Sequence, residues 1–354
     1  MVRVLVVEDS DTVRALLVAI IQEDEELTVV GEARDGAEAV RLASRLRPDV
    51  ISMDILMPVM DGFEATKRIM GEVPTPVVLV TSNLDVAEAE KSMHAMRLGA
   101  LHAMLKPSGP GYPTFEREAA EYRNVLRTFS QVKVIRHWKR AETPARRPLP
   151  ASLDAEDRRP APQRLVRAVA IAASTGGPGA LQKILGDLPP GFPVPILVVQ
   201  HICTGFVRSL ASSLNLATRL RVKVAEHGEP LLEGVVYLAP DGMHLGVEPR
   251  RVVLHEGSAG DGFVPSANHL FESVGRAFGR SALAIILTGM GEDGVAGLLS
   301  LRNRGGYVLA QDEQSCVVYG MPRTALAAGA VDEVVSLNGL ATRIGEVVRH
   351  EPDR

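Results

Sequence analysis

Short, continuously apolar segments alternate with amphipathic ones along most of the chain, and this pattern limits the possible folds more than any other feature. Arg3–Val7, Thr28–Ala33, Val50–Met53, Val77–Thr81 and Leu101–Leu105 are runs of strand length. Helical stretches separate them. The first is capped by Ser10 and carries Val13, Leu16, Leu17 and Ile20 on its apolar face; Gly36–Leu46, Phe63–Met70 and Asp85–Leu98 follow. Such alternation implies parallel strands joined by crossover helices, and strands apolar on both faces imply a sheet covered on both sides. The pattern breaks after a charged amphipathic stretch from Phe115 to about Arg140. Between Thr143 and Gln163 come five prolines, several arginines and few large apolar residues, the composition of an exposed, semi-extended connector.

From Leu165 the alternation resumes. Val166–Ala172, Ile196–Gln200, Ala282–Leu287 and Tyr307–Ala310 read as buried strands, and Gly179–Leu188, Ala267–Phe278 and Val295–Arg304 as helices. Three shorter runs, Val235–Leu238, His244–Val247 and Arg251–His255, suggest an antiparallel patch. The expectation is an α/β chain of two doubly wound parallel-sheet domains, residues 1–133 and 165–354, joined by a linker over 134–164. A length of 354 residues suits two domains, at roughly 150 residues each.

Bulk properties narrow the function. A net charge of −4 offers no basic field for nucleic acid. Two cysteines, Cys203 and Cys316, make no disulfide framework and fit a reducing compartment; Cys203 reads as a small apolar filler rather than a nucleophile. The first residues run straight into an apolar strand and Glu8-Asp9, unlike a secretory signal. No apolar run reaches the ~18 residues of a membrane span. These features predict a cytoplasmic protein that neither binds nucleic acid nor inserts into a membrane.

Polar groups recur at the predicted strand ends. Glu8 and Asp9 follow the first strand, Asp54 the third, Thr81 ends the fourth and Lys106 the fifth. Ligand sites in open parallel sheets gather beyond these ends. Three carboxylates meeting there need a cation, and a hard divalent ion such as Mg²⁺ suits oxygen donors. A nucleophilic carboxylate, a metal site, a hydroxyl and an ammonium are the parts that phosphoryl transfer requires. The strings VLVVEDS, DVISMDILMPVMDGFEA, VVLVTSN and LGALHAMLKP resemble a response-regulator receiver domain over about residues 1–133. That resemblance implies Asp54 as phospho-acceptor and Mg²⁺ held by Glu8, Asp9, Asp54 and the Leu56 carbonyl. It makes Thr81 and Lys106 the switch residues and a chemotaxis histidine kinase the phosphodonor. Receivers usually carry an aromatic residue three before the lysine; here that position is Ala103, beside His102.

Ser174-Thr175-Gly176-Gly177-Pro178 turns from a strand into a helix. A small-residue turn of this kind exposes a side chain and aims backbone N–H groups at an oxyanion. Alone, it fits a phosphate- or nucleotide-binding turn equally well. His201 follows the next strand, and Asp293 follows a later one. Read singly, each has an ordinary explanation, with Asp293 as the N-cap of helix Val295–Arg304. Together, serine, histidine and carboxylate at the strand ends of one sheet are the components of seryl catalysis, in which chain order is free.

The strings IAASTGGPGAL, PILVVQHI, YLAPDGMHL, LTGMGEDGVAGL, AQDEQSCVVYGMPRTAL and GAVDEV resemble the catalytic domain of chemotaxis response-regulator methylesterases. This resemblance implies Ser174 as nucleophile, His201 as base then acid, and Asp293 as the orienting carboxylate. It places Thr175 and Met290 at oxyanion and substrate contacts and requires no cofactor in this domain. The implied reaction is demethylation of glutamate esters on methylated chemoreceptors, switched by phosphorylation, with glutamine deamidation by the same acyl chemistry. Where the family often has Arg-Pro-Ser-Val-Asp, this chain reads Val264-Pro265-Ser266-Ala267-Asn268. These departures, with Ala103, motivate the alternative of a non-catalytic phospho-acceptor or binding module.

Overall fold

The computed structural model describes residues 1–82, 102–132, 165–258 and 262–349. The chain divides into two compact units, Met1–Glu142 and Thr143–Arg354. The expected helix Asp85–Leu98 and the expected linker lie outside the described residues.

The first unit holds five parallel strands, β1 (Val2–Val7), β2 (Leu27–Ala33), β3 (Val50–Asp54), β4 (Val77–Thr81) and β5 (His102–Leu105), in the order β2-β1-β3-β4-β5. Every residue of β3 and β4 is buried, as expected of strands covered on both faces. The described helices are α1 (Asp11–Gln22), α2 (Gly36–Leu46), α3 (Gly62–Glu72) and α4 (Phe115–Ser130). Their starts are encoded locally. Ser10 caps α1, Asp35 caps α2 through the Glu38 amide, and Asp61 caps α3 through the amides of Phe63 and Glu64. Tyr122 on α4 is fully buried and donates from its hydroxyl to Ser52 Oγ at 2.7 Å, tying that helix to β3.

In the second unit the main sheet has seven strands: β6 (Ala168–Ala173), β7 (Ile196–Gln200), β8 (Arg221–Val224), β9 (Val235–Leu238), β12 (Ala282–Ile286), β13 (Tyr307–Gln311) and β14 (Glu333–Val335). The order is β14-β13-β12-β6-β7-β9-β8, and every pairing is parallel. β10 (Met243–Glu248) and β11 (Arg251–Glu256) form a separate antiparallel hairpin. The antiparallel patch is therefore smaller than expected: Val235–Leu238 belongs to the main sheet, parallel to β7 and β8. All four of its residues are buried, so it behaves as an interior strand, and four residues are too few for periodicity to reveal the partner. The edge strands β8 and β14 escaped the sequence reading because they are short and partly polar.

The helices here are α5 (Gly177–Asp187), α6 (Val207–Ala217), α7 (Ala267–Phe278), α8 (Val295–Asn303), α9 (Met321–Ala327) and α10 (Leu337–Arg349). The core follows from residue size. Central strand β6 presents Ala168, Ala170 and Ala172, and Leu270, Phe271 and Val274 of α7 pack in the same cluster. Small side chains on the strand leave room for the large ones on the helix. No helix among the described residues is long and apolar enough to cross a membrane.

In the first unit Gly62 is required by close approach. A Cβ on Gly62 would lie 2.1 Å from the carbonyl oxygen of Asp54. Gly62→Ala is expected to destabilise the first unit by about 1–3 kcal/mol through overpacking; faster hydrogen exchange of the β3 amides is the measurement that checks it.

Candidate active site

In each sheet, the acidic and nucleophilic residues lie where the strand order reverses. Successive strands are laid down in opposite directions across the sheet from the β1/β3 boundary in the first unit and from the β6/β12 boundary in the second. Such switch points open a crevice beyond the carboxyl ends of the strands.

At the first crevice, Glu8, Asp9 and Asp54 offer carboxylate oxygens that all lie within 4.8 Å of one another. Glu8 and Asp54 are buried, and Asp9 is exposed. Lys106 reaches between them, its Nζ 2.7 Å from Glu8 Oε2 and 3.1 Å from Asp54 Oδ1. One cation against three carboxylates leaves negative charge in excess. Burial pushes the carboxyl groups of Glu8 and Asp54 above their ordinary pKa values, against the opposing pull of Lys106. Burial also opposes the charge on Lys106, but its hydrogen bond to Glu8 and the Asp54 charge outweigh this and raise its pKa. The all-oxygen donor set, buried on two sides and open at Asp9, fits a hard divalent cation. Thr81 is buried at the end of β4, and its carbonyl accepts from the Lys106 amide at 2.8 Å. Leu56 follows two residues after Asp54, half exposed. Ala103 is buried on β5, and neighbouring His102 stacks on Phe129 with ring centroids 5.0 Å apart. Burial pushes His102 down to about 4 and so keeps it neutral.

At the second crevice the sheet ladder runs on past the strands. Ala173 pairs with Gln200, and the His201 amide donates to the Ala173 carbonyl at 2.9 Å. Ser174 and His201 therefore follow adjacent strand ends; neighbouring strands lie about 4.8 Å apart. On the other side of β6, the Ser174 amide donates to the Thr288 carbonyl at 3.0 Å. Gly176, with φ of +79°, makes the sharp turn into α5. A Cβ there would also meet Val317 Cβ at 2.6 Å. Thr175 is buried, its carbonyl accepting from Thr288 Oγ1 at 2.9 Å. Met290 is half-buried and follows Gly289, where a Cβ would lie 2.7 Å from Ser174 Cβ. The loops bearing Thr175 and Met290 thus both meet at the serine.

Asp293 joins this group by an indirect route. The N-cap of α8 is Gly294, so Asp293 does not cap its own helix as the local pattern suggested. Its carboxylate instead receives the first turn of α7. Oδ2 accepts from the Ala267 amide at 2.7 Å, while Oδ1 accepts from the Asn268 amide and Ser266 Oγ, each at 3.0 Å. The remaining contact is His201 Nε2, 2.9 Å from Oδ2. Burial acts to raise the Asp293 carboxyl, but the hydrogen bonds from His201, Ala267 and Asn268 prevail and hold it below its ordinary value. An ionised Asp293 makes Nε2 the protonated nitrogen. The lone pair then sits on Nδ1, which is buried and has no protein hydrogen-bond partner. The group has the components of a nucleophile, a base and an orienting carboxylate.

Three supporting residues were not singled out from the sequence. Gln200 Nε2 donates to the carbonyls of both Ser174 and His201, at 2.7 and 2.9 Å, and so braces the two loops against each other. Thr288 links the Ser174 turn to Val318. Ser266 holds Asp293 from the side. Gln200 was visible as a lone polar residue ending an apolar strand; the others carry no local signal. Asn268, one of the departures from the familiar string, has a definite place: its Oδ1 accepts from the Gly297 amide at 2.8 Å. Helices α7 and α8 therefore cap each other, Asp293 serving one and Asn268 the other.

Comparison with known proteins settles the family. A family model described as CheB methylesterase matches residues 169–344, and one described as response regulator receiver domain matches residues 4–112. Protein-glutamate methylesterase/protein-glutamine glutaminase 4 of Myxococcus xanthus is 52% identical over 98% of this chain and 97% of its own length. The chain belongs to the CheB methylesterase family. A second relative, protein-glutamate methylesterase/protein-glutamine glutaminase 3 of Anaeromyxobacter dehalogenans, is 48% identical over 97% of the chain and 98% of its own length. The crystal structure of the Thermotoga maritima CheB methylesterase catalytic domain superimposes with a TM-score of 0.50 at 37% identity. It covers 52% of this chain and 99% of that one. Membership of the CheB family covers both units of the chain, and the reading as a non-catalytic module is not favoured.

A carboxyl held below its unfolded value stabilises the fold above that value and loses the contribution as pH falls through the folded one. Asp293→Asn should therefore cost about 1–3 kcal/mol of stability at neutral pH, because buried donors lose their charged acceptor. Its difference from wild type should narrow as pH drops below the ordinary aspartate value of 3.8. Urea unfolding at neutral and acidic pH measures both.

Proposed function

We propose that this protein is a phosphorylation-regulated serine hydrolase that removes methyl esters from glutamate residues of chemoreceptors in chemosensory adaptation. The observation that carries the reading is that Ser174 and His201 follow adjacent strand ends beside the β6/β12 switch point, with Asp293 bound to Nε2 and Nδ1 left as the proton acceptor. Ser174 Oγ attacks the ester carbonyl carbon as His201 Nδ1 takes its proton. Asp293 balances the imidazolium that forms. Thr175 and Met290, on the two loops meeting at the serine, contribute the oxyanion and substrate contacts. The carbonyl–methoxyl bond then breaks, and methanol leaves with the proton from His201. Water, deprotonated by His201, opens the acyl-enzyme and releases glutamate carboxylate and free serine. A primary amide enters the same sequence: its carbon–nitrogen bond breaks, ammonia leaves with the proton from His201, and water releases the carboxylate, the glutaminase activity named in the relatives.

The receiver supplies control. Asp54 accepts a phosphoryl group from a chemotaxis histidine kinase, and Lys106 and Thr81 contact it as switch residues. Glu8, Asp9 and Asp54, with the Leu56 carbonyl, would hold Mg²⁺, whose charge offsets the carboxylates and phosphoryl oxygens there. The catalytic unit works through its own side chains. In this reading the receiver spans residues 1–133, the linker 134–164 and the hydrolase 165–354.

The test is methanol release from methylated chemoreceptor membranes. Ser174→Ala should lose hydrolysis by a factor on the order of 10⁴ or more, and full activity in that variant would overturn the proposal. Asp54→Asn should keep basal release but lose its stimulation by a small-molecule phosphodonor. Chelation of Mg²⁺ should likewise remove stimulation and leave basal release intact.

A further inference from the structure

Phe263 is 51% exposed, yet its ring lies flat on the imidazole of His201, with centroids 4.5 Å apart and planes within 10°. Burial of the phenyl ring does not explain this placement, because half of it stays in water. The contact matters for His201 instead. An imidazole held only through Nε2 can still pivot about that hydrogen bond, and each pivot redirects Nδ1. A ring stacked on its face removes that freedom. The stack also bears on charge, since the π face of a phenyl ring attracts a cation. His201 becomes cationic when it takes the serine proton, and Phe263 already lies on its face.

The chain is built to keep Phe263 there. Three residues further on, Ser266 caps α7 and donates to Asp293, and the Ala267 and Asn268 amides bind the same carboxylate. Asp293 thus fixes the edge of the imidazole directly and anchors the segment that covers its face. Val264, between them, packs over Gly257, where a Cβ would fall 2.4 Å from Val264 Cγ1.

We propose that Phe263 is a positioning residue for the hydrolysis: it holds the His201 imidazole in the plane that directs Nδ1 toward Ser174 and stabilises the imidazolium formed during acylation. This inference rests on Ser174 and His201 acting as nucleophile and base. A face contact of this class is worth roughly 3- to 30-fold in rate.

The test uses the full chain and two substrates. A small fluorophosphonate phosphonylates an activated serine, with loss of fluoride, without needing receptor contacts; methylated receptor membranes require them. Phe263→Leu and Phe263→Ala should slow fluorophosphonate labelling of Ser174 and lower kcat for methanol release by similar factors, with KM little changed. Phe263→Tyr, which keeps the aromatic face, should recover most of both rates. Wild-type labelling rates in Phe263→Leu would overturn the proposal; a rise in KM alone would then make Phe263 a receptor contact. Failure of Tyr to outperform Leu would also overturn it. A wild-type chain that fluorophosphonate does not label at Ser174 removes the hydrolase reading itself, a result distinct from these.

Discussion

The carboxylate of Asp293 is the junction on which the second crevice depends. A buried carboxylate is costly unless donors surround it. Here the amides of Ala267 and Asn268, the hydroxyl of Ser266 and Nε2 of His201 do so. Each donor gains from the arrangement. The start of α7 finds an acceptor for amides that no helix satisfies internally. The imidazole is held in one tautomer. Because Asn268 returns the service to α8 through the Gly297 amide, the two helices lock each other in register. The anchoring of α7 and the orientation of the imidazole therefore rest on the same carboxylate.

The two crevices share a topological origin and differ in electrostatic design. The receiver gathers three carboxylates around one lysine, so burial raises the pKa values of Glu8 and Asp54 and leaves the pocket short of positive charge. Such an all-oxygen pocket suits a hard divalent cation. The hydrolase crevice holds one carboxylate with its donors satisfied and its pKa lowered. Its hydrogen bonds are already in place.

Departures from a familiar string are weak guides until their contacts are known. Asn268 stands where an acid is common, and on the sequence alone it spoke for a lost function. In the fold its side chain caps α8, a role an amide oxygen fills without adding charge beside Asp293. Val264 packs over a glycine close to the residue that covers His201. For Asp293 it is only the ordinary local reading that fails. Its position before a helix suggested a cap on that helix, whereas it caps a helix that begins 26 residues earlier in the chain.

What the sequence by itself determined was the set of strands buried on both faces, the helix starts marked by Ser10 and Asp61, and the chemistry of the residues at the strand ends. These features are local: period, cap and residue type are written within a few positions of one another. That Ser174, His201 and Asp293 belong together was also legible, because parallel strands put all their carboxyl ends on one edge. Tertiary structure alone decided that Val235–Leu238 runs parallel in the main sheet, which nitrogen of His201 meets Asp293, and that Gln200, Ser266 and Phe263 surround the site. Each of these depends on strand order or on a contact between distant segments, and such contacts form only when the sheet closes around its core.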